Sequence, residues 1–113
     1  MSKLDDKIEL YSTKIKDIEP NFNAELLAKV TKGLGPSIYN KDAETIACSS
    51  GSELARVRDS FLKKKLALKE DDATLDAAIK EVCEKMGSSN RSKYRAIFYY
   101  LLVEKFSKQD VYA

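Results

Sequence analysis

Histidine and tryptophan are absent from this chain of 113 residues, and cysteine and proline occur only twice each. Without histidine, the usual zinc patterns, the Ser-His-Asp and Cys-His catalytic devices and histidine pH switching all drop out together. No uninterrupted apolar run approaches the 18 or so residues that a membrane helix needs, and no strand-like alternation competes with the helical pattern. Proline and glycine fall only at the boundaries of helical segments. Charge of one sign is not in excess either. Twenty basic and 18 acidic residues leave a net charge of +2, too balanced to demand a nucleic-acid or membrane partner. Asp5 and Asp6 stand where a signal peptide would need its apolar core, so the expected location is cytoplasmic. There the two cysteines, Cys48 and Cys83, 35 positions apart, are expected as free thiols.

What is present is an ordinary balance of 43% apolar and 34% charged residues in a chain long enough for one domain with a real core. Leu4, Ile8, Tyr11, Ile15 and Ile18 form a single narrow stripe, predicting a helix over 3–18 that Pro20 stops and that lies across the outside. Asn21 or Asn23 caps a second helix, with Leu26, Leu27 and Val30 inward, and Gly33 closes it at a positive φ. After Gly35-Pro36, Ile38-Tyr39 reads as a short turn, and 42–47 as a weak one. Ser50 and Glu53 make a capping box for a helix running to Lys65, its buried side formed by Leu54, Val57, Phe61 and Leu62. The clearest periodicity is Leu75, Ala78, Ile79, Val82, Cys83 and Met86 on a helix over 73–86, with acidic residues at its N-terminus and Gly87 at its end. The last helix, over 89–106, carries apolar residues nearly all round and is expected as the central post. The fold class is therefore all-α, a single compact, irregular (orthogonal) helical bundle of four long helices and one or two short ones over 1–113.

The segments LGPSIYN (34–40) and SNRSKYRAIFYYLL (89–102), with the closing Val111-Tyr112, resemble a family of short, soluble bacterial all-helical proteins with no assigned function. The resemblance spans nearly the whole chain. It supports the single-domain helical reading and implies no substrate and no catalytic residue.

Candidate sites are few. Lys32 to Ser37 lacks the spacing of a phosphate loop and is better read as a helix cap running into a turn. Glu70, Asp71 and Asp72 lack the ligand alternation of a calcium loop and are better read as capping. No catalytic, cofactor or metal residue stands out, so neither an enzyme nor a cofactor is expected. Helix 73–86, the turn at 87–89 and the following helix have helix-turn-helix lengths, with Arg91, Lys93 and Arg95 as candidate nucleic-acid contacts. An αα-hairpin explains the same pattern. Tyr99, Val103 and Phe106 fall on the far side of the last helix from Tyr94, Phe98 and Leu101, and make a candidate surface for self-association. Residues 53–69 hold six basic against two acidic residues, 70–86 six acidic against two basic, and 88–108 five basic against one. Such blocks can steer two copies together. The expected role is a non-catalytic one, binding a protein partner or, as a homodimer, a second copy. The alternative is a small nucleic-acid-binding protein.

Overall fold

The computed structural model describes residues 3–87 and 93–112, apart from the side chains of Lys41 and Asp42. Helix α1 (Lys3–Ile15) opens with Asp5 and Asp6 in its first turn, where the exposed N–H groups favour negative charge. It ends three residues short of the expected boundary, and Ile18 and Glu19 turn back on the Ile15 carbonyl as the chain approaches Pro20. Its placement differs from expectation as well. Tyr11 and Ile15 are fully buried, and the Tyr11 ring lies 5.0 Å from that of Tyr94, so α1 inserts its stripe into the core.

Asn23 caps α2 (Ala24–Gly33), its side chain accepting from Leu26 N at 3.1 Å. Leu26, Leu27 and Val30 are buried as their spacing predicts, and Thr31 joins them by donating its hydroxyl to the Leu27 carbonyl. The positive φ falls at Gly35, at 66°, and not at Gly33. A Cβ at Gly33 would meet the Tyr112 ring at 3.4 Å, an ordinary contact. A 3-10 turn (Gly35–Tyr39) buries Ile38, and the short α3 (Lys41–Glu44) follows.

Ser50 caps α4 (Gly51–Arg56) by accepting from Glu53 N. The return half of the capping box does not form, because Glu53 turns its carboxylate to Ala47 N and to Arg95. From Val57 to Lys65 the helix continues as a π-helix. Val57, Phe61, Leu62 and Leu66 are all buried. In an α-helix of 3.6 residues per turn Leu66 would point away from Val57. A wider turn closed by i→i+5 bonds, about 4.4 residues round, brings them to one side.

Asp71 caps α5 (Asp72–Met86) by accepting from Thr74 N at 2.9 Å, and Gly87 ends it at φ 96°. All six residues of its apolar stripe are buried. Helix α6 (Arg95–Lys105) starts later than the expected boundary, and residues 89–92 of that expectation lie outside those described. It packs against α1, α2, α3 and α5 and buries Ala96, Ile97, Phe98, Tyr100, Leu101, Leu102 and Val103, as a helix apolar all round requires. A last 3-10 turn (Gln109–Tyr112) folds back on α2.

The result is an all-helical bundle of five longer helices, counting α4 with its π continuation as one and α2 as long. Among the described residues there is no strand, only an isolated bridge between Thr45 and Tyr94. The radius of gyration, 13.1 Å, is that of one compact body of this length. Among the described residues no helix is long and apolar enough to cross a membrane. The cysteines correct the free-thiol expectation: Cys48 and Cys83 are joined in a disulfide across a Cα–Cα distance of 6.1 Å. Cys83 does lie on the buried stripe of α5. The segment after α3 folds over it because Ile46 N donates to the Lys93 carbonyl at 2.8 Å, a pairing between residues far apart in sequence.

Candidate functional site

Helices α5 and α6 leave an open groove along one side of their contact. Its first part is a hollow of about 500 Å³ lined by Ala73, Thr74, Ala77 and Ala78 of α5 and by Phe106 just beyond α6. The second, of about 340 Å³, is lined by Val82, Lys85, Leu101, Glu104 and Glu19. Glu81 and Lys105, joined as an ion pair, line both parts. The groove is thus apolar and small-walled at one end and carboxylate-rich at the other.

Local sequence explains the apolar end. Alanine and threonine at 73, 74 and 77 place little side chain on the exposed side of α5, so the helix surface is sunken beside the half-buried Phe106 ring. The other end is assembled from three elements. Asn23 N donates to the Tyr100 hydroxyl at 2.7 Å, and Tyr100 donates to Glu104 Oε2 at 2.9 Å. Glu104 in turn is hydrogen-bonded to Glu19, whose Oε1 meets Lys85 Nζ at 2.6 Å.

Two carboxyl groups this close cannot both carry a full charge without cost, so their titrations are linked. Burial, then the hydrogen bond with Glu19, raises the Glu104 pKa, against the pull of Tyr100 and Lys85. Burial also opposes charge on Glu19, yet the hydrogen bond from Glu104 and the Lys85 ammonium outweigh it and leave its pKa lowered. The two shifts run in opposite directions, the Glu104 carboxyl up and the Glu19 carboxyl down.

The sequence candidates lie elsewhere or face inward. Arg91 is outside the described residues. Lys93 is buried at 8% exposure. Arg95 donates from Nε to the Ala43 carbonyl and from Nη2 to Glu53 Oε1, both at 2.7 Å, and covers the Tyr99 ring. Neither Lys93 nor Arg95 is presented outward as a major-groove contact would be. Of the self-association set, Val103 is fully buried and Tyr99 stacks on Phe61 with centroids 4.0 Å apart. The far side of α6 is thus covered by the same chain, through the π-helix, and only Phe106 reaches a groove. Asp71 caps α5, and Asp72 pairs with Lys63 at 2.5 Å.

Sequence reasoning missed Glu19 and Glu104. One signal was present: Tyr100 and Glu104 are one helical turn apart, and Glu104 is the lone acid in an apolar helix. Nothing local pointed to Glu19, which arrives from the turn after α1. Comparison with known proteins returns no match among curated proteins. The family model described as "Protein of unknown function (DUF2853)" matches residues 10–110, and the chain belongs to that family.

Proposed function

We propose that this chain is a non-catalytic interaction module that takes a helical segment of a partner protein into the α5–α6 groove. The observation that carries the reading is an apolar, small-walled hollow that adjoins the one lined by Glu19 and Glu104, the two sharing Glu81 and Lys105. Alanines on a helix surface let another backbone come close, and Phe106 offers an aromatic of the kind that anchors interfaces. The partner's matching features are a small apolar side and a lysine or arginine placed to meet Glu19 and Glu104.

A photo-reactive phenylalanine analogue at Ala77, compared in cells with one at the exposed Lys64, tests the reading. The expected result is a defined adduct from Ala77 alone, lost when Glu19→Lys is added, whose cross-linked peptide carries a basic residue. An adduct with the mass of two chains would replace the partner by a second copy. No adduct, or the same adducts from both positions, would overturn the proposal. Nucleic-acid recognition through Arg91, Lys93 and Arg95 is the weaker alternative, given the burial of Lys93 and the contacts that occupy Arg95.

A further inference from the structure

The Cys48–Cys83 pair lies apart from the groove and has no part in the reading above. We infer that it is a reversible thiol–disulfide exchange site, opened and closed by low-molecular-weight thiols of the glutathione class through attack at Cys48. Three observations support this. The two sulfurs differ in access: Cys83 is buried on α5 at 9% exposure, whereas Cys48 is half-buried in the irregular segment between α3 and α4. Cys48 is therefore the more accessible of the two to an incoming thiolate.

The segment bearing Cys48 is also held without the disulfide. Arg95 Nε binds the Ala43 carbonyl at 2.7 Å, Ile46 N binds the Lys93 carbonyl at 2.8 Å, and Glu53 ties Ala47 N to Arg95. These bonds keep Cys48 beside Cys83 after the bridge opens, so closure remains an intramolecular step. Finally, the core is continuous through all the longer helices, unlike that of small domains whose folding depends on disulfides.

The exchange balances as follows. A thiolate attacks Cys48 Sγ, the new external S–S bond forms, and the Cys48–Cys83 bond breaks with its electron pair leaving on Cys83, which takes a proton. A second thiolate attacks the external sulfur, releasing Cys48 as thiolate and a low-molecular-weight disulfide. Two thiols are oxidised and the protein pair is reduced by two electrons. The reverse sequence, begun by Cys48 thiolate on an oxidised glutathione molecule and resolved by Cys83, closes it.

The test equilibrates the full chain in glutathione buffers of increasing reduced fraction, quenches with acid, alkylates and maps each cysteine by mass, with near-ultraviolet circular dichroism following the fold. Opening is expected within the glutathione range with the fold retained. The transient mixed disulfide should favour Cys48 over Cys83 by at least about tenfold. Cys83→Ser should accumulate glutathione on Cys48. If that variant does not fold, the wild-type mapping decides alone. A pair that stays closed throughout, opens only together with unfolding, or forms mixed disulfide equally on Cys83 would overturn the inference.

Discussion

Tyr11 on α1 and Tyr100 on α6 are both fully buried, and each donates its hydroxyl to a glutamate, Glu44 at 2.7 Å and Glu104 at 2.9 Å. In both, burial first and the glutamate hydrogen bond after it push the phenol far above its usual pKa, with Asn23 N partly opposing this at Tyr100. The two sites part at the next neighbour. Glu44 meets the Lys7 ammonium at 2.7 Å, an opposite charge. Glu104 meets Glu19, a second carboxyl. The first arrangement is a closed ion pair that ties α1 to α3. The second sets two carboxyls side by side, and it lines the groove. One polar device is thus set in two charge environments, beside a cation in one place and beside a second carboxyl in the other.

The largest expected effect concerns what the two tyrosines share. Tyr11→Ala should destabilise by about 3–5 kcal/mol, as should Phe98→Ala, because both remove a large ring from a packed interior. Denaturant melts that found Tyr11→Ala much milder would return α1 to the periphery. Removing only the hydroxyls separates the sites. Tyr100→Phe leaves Asn23 N without its acceptor as well as Glu104 without a donor, and should cost about 1–3 kcal/mol. Tyr11→Phe leaves Glu44 its Lys7 partner and should cost about 0.5–1.5 kcal/mol.

A smaller effect appears with pH. Glu104, with its pKa raised, contributes stability that is fully present below its unfolded value of about 4.3 and lost as pH rises through the folded one. Glu19, with its pKa lowered, contributes stability that is present above the unfolded value and lost as pH falls through the folded one. Glu104→Gln cannot ionise, so its melting temperature should gain on the wild type steadily from acid toward neutral pH. A constant offset would show that the Glu104 pKa is not raised in the folded protein. The smallest effect is expected from salt on Lys7→Met. Its loss of stability, within about 1 kcal/mol for a partly exposed pair, should shrink as ionic strength rises.

How much of this could be read in the sequence depended on how local its cause was. The stripe of α5, Asn23 and Ser50 as caps, Gly87 as a terminator and the central place of α6 were all legible, because each rests on residues within one or two turns of each other. The π-helix was not. Val57, Phe61 and Leu62 fit an α-helix equally well, and only the demand that Leu66 also be buried selects the wider turn. Tyr11 seemed peripheral because a single stripe says which side of a helix is buried and not how deeply.

The sequence by itself determined an all-helical chain, where most of its helices start and stop, and which sides of them are apolar, since the backbone period and the terminal N–H and C=O groups act over a few residues. Tertiary structure decided everything that joins distant segments: the bridge between Thr45 and Tyr94, the disulfide between Cys48 and Cys83, the burial of Lys93 and Val103, and the meeting of Glu19 with Glu104. Those pairings follow from how preformed helices stack, and a side chain's charge state or exposure is set by whichever neighbour the stacking delivers.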